Sequence, residues 1–202
     1  LNATVGRGAE ACRLERVVSP SRVLVIGGGP AGMEAARVAA LRGHRVALYE
    51  QEPRLGGMVN VAAIPPGKGK LNWITEYFAH ELPRLGVEVC LGESLDAEKV
   101  RALNPDVVIV ATGSEPAIPE IPLADGSNVL VAQELLASQM RCTGQRFAMV
   151  GGGMLGLETA EYLAAQGNAV TVLKRYETIG RGIEPLYRDY LLRELKKHGV
   201  EI

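Results

Sequence analysis

The run Val23-Leu24-Val25-Ile26-Gly27-Gly28-Gly29-Pro30-Ala31-Gly32 decides how the rest of this chain reads. Four aliphatic residues make a short strand, and the glycines at 27, 29 and 32 break it at spacings with a mechanical meaning. The first glycine permits a tight turn out of the strand. The second removes a Cβ so that a diphosphate can touch bare backbone, and the third lets the following helix pack closely on the strand. The N–H groups at the start of that helix then face the phosphates. Glu50 stands 18 residues after Gly32, at the end of the next strand. A carboxylate there is placed to accept hydrogen bonds from a ribose hydroxyl.

The same unit recurs 124 residues later, where Phe147-Ala148-Met149-Val150 runs into Gly151-Gly152-Gly153-Met154-Leu155-Gly156. Between residues 23–50 and 147–174, nine of 28 positions are identical. Each copy reads strand, glycine turn, helix, strand. Met33 to Leu41 and Leu157 to Ala165 are the helices, each followed by a glycine (Gly43, Gly167) where a left-handed residue ends a helix. Arg45 to Tyr49 and Ala169 to Leu173 are the second strands. A strand–helix–strand unit requires a crossover connection and a parallel sheet. The expected fold class is therefore α/β, with two Rossmann-like units, the second inserted in the first. In the second copy Lys174 replaces Glu50 and Arg175 follows. Two cations there attract a 2′-phosphate, which leans this copy toward NADPH over NADH. The alternative is a solvated pair of charges beside a site that accepts either nicotinamide.

Between the copies the texture changes. Gly56-Gly57 and Pro65-Pro66-Gly67 read as loop, and a helix is expected from about Leu71 to Leu85, with Trp73, Ile74, Tyr77, Phe78, Leu82 and Leu85 as its core face. Gly86 to Leu91 reads as a strand, and Asp106 to Ala111 as a buried strand stopping at Thr112-Gly113. The three prolines of Pro116 to Pro122 mark a linker. The expected domains are residues 1–117 and 118–202. Pro185 to His198 reads as a charged amphipathic helix leading into a strand at Val200. A strand cut so short, and a start without Met, suggest a truncated fragment.

Composition narrows the function. Of 202 residues 24 are glycine, well above the ~7% of ordinary proteins, as close approach of backbone to a ligand requires. Net charge is −1, which implies no basic face for nucleic acid, and no apolar run approaches the ~18 residues of a membrane span. Cys12, Cys90 and Cys142 are scattered and form no CxxC pair. They exclude a zinc knuckle and a four-thiolate cluster held by this chain alone, and suggest thiols of a reducing cytoplasm. His44, His80 and His198 have no triad or metal spacing and read as surface or capping residues. No side chain is expected to act as catalytic acid, base or nucleophile, because hydride transfer is cofactor chemistry.

Taken together, Gly27 to Ala36, Leu48-Tyr49-Glu50, Leu55-Gly56-Gly57 and Ala111-Thr112-Gly113 resemble the FAD- and NAD(P)-binding part of the two-dinucleotide-binding flavoproteins. Within these the chain most resembles the C-terminal region of the NADH:flavin oxidoreductase family, which includes 2,4-dienoyl-CoA reductase and trimethylamine dehydrogenase. The opening Leu1 to Arg7 resembles the segment after the last cluster cysteine of those enzymes. The resemblance implies FAD on Gly27, Gly28, Gly29, Pro30, Ala31, Gly32, Glu50, Gln51, Arg54, Gly57, Met58, Thr112 and Gly113. It implies NADP or NAD on Gly151, Gly153, Met154, Leu155, Gly156, Lys174 and Arg175, and no metal on this chain. It also implies an N-terminal barrel outside these residues that carries FMN beside a [4Fe–4S] cluster, to which electrons pass from FAD. Other readings are a nucleotide-binding structural domain that holds ADP without redox work, and a stand-alone NAD(P)H-dependent reductase. One branch of the superfamily uses a dithiol near the flavin. Here Gly56-Gly57 is followed by Met58, Val59 and Asn60, so that relay is ruled out.

Overall fold

A computed structural model describes residue 6 and residues 13–118 and 128–202. Leu1 to Val5, Arg7 and most of the proline-rich linker lie outside the described residues. The chain divides into two compact units: one contains residues up to Val59 and Asn72–Ser114, the other Asn60–Leu71 and Glu115–Ile202. The division after Ser114 lies near the domain boundary expected at 117/118. Segment 60–71, expected in the first domain, instead groups with the second unit.

In the first unit, β1 (Arg22–Ile26), α1 (Pro30–Leu41) and β2 (Arg45–Glu50) form the expected βαβ unit. β3 (Glu88–Leu91) and β4 (Val107–Val110) complete a parallel sheet in the order β3-β2-β1-β4. Register aligns Val25 with Leu48, and both side chains are fully buried with Met33 and Ala36 of α1. Central parallel strands are covered on both faces, which is why their sequence is continuously apolar. Gly43 ends α1 at φ 94°, the left-handed cap its sequence position called for.

Two expectations fail here. β4 is an edge strand, and Val107, Val108 and Val110 are 45%, 40% and 70% exposed among the described residues, not buried. An apolar run fixes a strand's identity but not its neighbours. The second concerns the long helix, α3 (Asn72–Arg84), numbered after the short α2 (Met58–Ala62). Phe78 and Leu82 of α3 enter the core with Ile74 and Leu85, whereas Trp73 and Tyr77 stand 61% and 51% exposed. The apolar stripe of α3 is wider than the face its neighbours cover. A short helix, α4 (Ala97–Leu103), begins where the Asp96 carboxylate accepts from the Lys99 N–H at 2.8 Å, an N-cap worth about 1 kcal/mol.

The second unit holds α5 (Ala132–Ala137), β5 (Arg146–Val150), α6 (Met154–Ala164), β6 (Ala169–Leu173) and α7 (Pro185–Lys197). β5 and β6 pair in parallel, and Glu201 adds one parallel bridge to Thr171 in place of the strand expected at Val200. Leu157, Ala160, Leu163, Val170, Val172, Leu191 and Leu195 form its core, against which Val61 and Ile64 also pack. Asn168 is buried but satisfied: its amide donates to the carbonyls of Cys142 and Leu163, both at 2.9 Å. Among the described residues no helix is long and apolar enough to cross a membrane.

Candidate functional site: two glycine turns

Both turns are built alike. Gly27 and Gly151 leave their strands at φ 107° and 121°, a region that side-chain-bearing residues avoid. At the third glycine the helix lies on the turn. A Cβ added at Gly32 would stand 1.9 Å from the Gly27 carbonyl oxygen, and one at Gly156 would stand 2.0 Å from that of Gly151. These four glycines are demanded by the fold itself.

The second glycine of each turn is not. Gly29 and Gly153 have φ −72° and −83°, open to any residue, and an added Cβ would meet nothing within 4 Å. Neither backbone strain nor packing explains a missing side chain there; room for a group lying against the backbone does. These residues are also the N-caps of α1 and α6, and neither helix start has a side-chain cap. The first helical bonds run from Met33 N–H to the Gly29 carbonyl and from Leu157 N–H to that of Gly153. The preceding N–H groups, of Ala31 and Gly32 and of Met154, Leu155 and Gly156, are left for an anion. Pro30 supplies no N–H, so the first turn has one donor fewer.

Glu50 is buried and ties the first turn together. Its Oε2 accepts from the Gly28 N–H at 2.5 Å and its Oε1 from the Glu52 N–H at 2.9 Å. Each carboxylate oxygen keeps a further lone pair for a ribose hydroxyl. Gly28 is small because Glu50 and Leu55 press on it, and the Gly56 N–H donates to the Gly28 carbonyl at 2.9 Å. Gly57 faces Gly29: a Cβ on it would approach the Gly29 Cα to 3.2 Å. Thr112 follows the Ala111 carbonyl that crowds Gly27. Gln51, Arg54, Thr112 and Gly113 are exposed on the loops around the turn, and Met58 is exposed at the start of α2.

The second turn opens on a cavity of about 500 Å³ lined by Val150, Gly151, Gly152, Gly153, Leu173, Arg175, Tyr176, Thr178 and Arg181. That is the size of a small-molecule site. Arg175 and Arg181 both stack on the Tyr176 ring, at 5.0 and 5.5 Å from its centroid. Lys174 does not line the cavity. Its Nζ donates to the Glu177 carbonyl at 3.0 Å and its Cβ lies against Gly152. The cations that line this cavity are thus Arg175 and Arg181. Arg181 sits in the loop after β6, where adjacency to Gly180 and Gly182 was the only sequence cue.

α6 itself carries two buried acids, Glu158 and Glu161. Glu161 is pushed above the usual carboxylate range by burial, and further by Glu194 and Glu158, while Lys68 and Lys197 act the other way. A raised folded-state pKa means that the protonated form favours folding. This contribution is present at acid pH and is lost as pH rises through the raised value. Glu161→Gln is therefore expected to raise Tm by a few degrees at neutral pH and by less at acid pH. Thermal melts across pH check this, and an equal shift at all pH values would contradict it.

Residues 21–202 match the pyridine nucleotide-disulphide oxidoreductase family. The chain belongs to that family. It is 40% identical to the NADH oxidase of Thermoanaerobacter brockii over 99% of its own length and 31% of that protein's. It is 41% identical to the bilirubin reductase of Mediterraneibacter gnavus, over 93% of this chain and 30% of that one. Among solved structures, a 2-naphthoyl-CoA reductase complex superposes with a TM-score of 0.92 at 30% identity, covering 99% of this chain and 30% of that one. The histamine dehydrogenase of Rhizobium sp. 4-9 follows with TM-score 0.79 at 25% identity, covering 94% of this chain and 31% of that one. The chain thus spans less than a third of the length of these relatives. The resemblance to flavin oxidoreductases holds, as does the α/β class with parallel sheets, and with it the FAD and NAD(P) class of cofactor. Despite the family's name, no cysteine stands beside Gly56-Gly57 to form a dithiol.

Proposed function

We propose that the first glycine turn holds the diphosphate of FAD and the second that of a nicotinamide dinucleotide, within a flavin-dependent NAD(P)H oxidoreductase. The observation that carries this is the pair Gly29 and Gly153, glycines that the fold does not require and that open onto free space. When bound, the two cofactors supply the hydride chemistry. The chain's own part is to hold them: backbone N–H groups grip diphosphate, and Glu50 accepts from the flavin-side ribose. Arg175 and Arg181, flanking Tyr176 in the cavity, support a preference for NADPH over NADH. Reducing equivalents would then leave toward FMN and an iron–sulfur cluster carried on a barrel elsewhere in the protein, as the resemblance to the NADH:flavin oxidoreductases implies. The partly buried thiols of Cys90 and Cys142, both free, accord with a cytoplasmic setting.

Gly29→Ala and Gly153→Ala test the assignment. Both positions accept alanine without strain, so Tm is expected to hold or rise slightly, since alanine restricts the unfolded chain. Titration with FAD is expected to weaken at least about tenfold in the first variant, and titration with NADPH likewise in the second. Unchanged affinities in both variants would remove the turns from the sites. Release and identification of the nucleotide from the purified protein separates FAD from ADP.

A further inference from the structure

The two copies of the repeat place a glutamate at the same point, two residues past the third glycine, but treat it differently. Glu34 sits half in solvent, paired with Arg37 of its own helix at 2.7 Å. Glu158 is 4% exposed. Its Oε1 accepts from the Lys68 Nζ at 2.6 Å and from the Tyr187 hydroxyl at 2.9 Å. The fold of the unit therefore does not require a buried acid at this point, and the second copy has had to neutralise one.

Lys68 comes from far away in sequence, on the segment Asn60–Leu71 that packs with the second unit. Val61 and Ile64 of that segment join the unit's core, Pro65 is fully buried, and the ammonium also lies 5.7 Å from the centre of the Tyr187 ring. Glu158 also acts on Glu161 of α6, which Glu194 and Lys197 of α7 influence in turn, and Tyr190 of α7 stacks on Tyr187. Burial pushes the Tyr187 hydroxyl well above its ordinary range, and its bond to Glu158 pushes it further, so it stays a neutral donor. Lys68 is the cation bound directly to Glu158.

Position makes this matter. From Met154 to Glu158 is about 6 Å along the axis of α6. A carboxylate buried there acts through protein and not through screened water on whatever the first turn of α6 holds. Uncompensated, it would repel a diphosphate.

We infer that Lys68 is a positioning residue of the nicotinamide-dinucleotide site, cancelling the buried charge of Glu158 so that the start of α6 presents a net attraction to diphosphate. The inference rests on the assignment of that turn made above. The test uses the whole protein with Lys68→Met, Glu158→Gln and the double variant, each titrated with NADPH and NADH. Lys68→Met is expected to weaken both dinucleotides about tenfold. The double variant is expected to recover wild-type affinity within about threefold while its Tm stays low, which a purely structural role for the pair would not produce. Glu158→Gln alone keeps the cation and is expected to bind as tightly as wild type or more tightly, so the inference stays testable if Lys68→Met folds poorly. It is overturned if the double variant binds no better than Lys68→Met, or if Glu158→Gln weakens binding. Failure of the turn assignment looks different: Gly153→Ala would then leave dinucleotide affinity intact, whatever Lys68 does.

Discussion

Gly156→Ala is expected to abolish nicotinamide-dinucleotide binding, by more than about 100-fold, and to lower Tm as well. A Cβ there would lie 2.0 Å from the Gly151 carbonyl oxygen and 3.1 Å from its carbon. Backbone at that range has no rotamer to yield, so either α6 lifts away from β5 or the turn opens. Both move the free N–H groups from the line of the phosphates. Gly32→Ala is expected to do the same to FAD, with its Cβ 1.9 Å from the Gly27 oxygen. The contrast with Gly153→Ala is diagnostic. One glycine is required by the fold, so its loss is expected to harm stability and binding together, whereas nothing in the fold requires the other. Melts and titrations on the same preparations separate the two. A stable Gly156→Ala that still binds would contradict the geometry.

The second large effect is expected from Arg175→Ala combined with Arg181→Ala. Charge-assisted hydrogen bonds to phosphate contribute about 1.5–3 kcal/mol each where shielded, and less where solvent reaches them. The pair lines an open cavity, so the NADPH Kd is expected to rise about 10- to 100-fold while that of NADH moves by no more than about threefold. Lys174→Ala is expected to change neither by much, because its ammonium already serves the Glu177 carbonyl. Equal losses for NADPH and NADH would show that the arginines hold something other than the 2′-phosphate. An effect of Lys174→Ala as large as that of the double variant would restore the reading in which residues 174 and 175 act together.

The glycine turns were legible in the sequence because their spacing encodes geometry directly: a left-handed exit, a bare backbone, a close helix. Glu50 was legible for the same reason, standing at the end of a strand whose partner ends at the turn. Arg181 was not, since the loop after β6 folds back by contacts among Tyr176, Gly180 and Gly152 that no periodicity announces. The exposure of Trp73 and of the β4 valines escaped for a different reason: pattern tells which faces are apolar, not what lies against them. Lys68 was the least legible. Pro65-Pro66-Gly67 reads as loop whichever unit it joins, and only the structure shows the segment packed with the second unit.

That placement bears on any division of the gene. A cut after Ser114 looks natural, through a proline-rich joint between repeated halves. It would deprive the downstream half of Val61, Ile64, Pro65 and Lys68, leaving part of its apolar interior wet and a glutamate stranded without its counter-ion. Recombination that swaps such halves between related enzymes must therefore carry a dozen residues from the upstream partner, or choose partners in which that short stretch already matches.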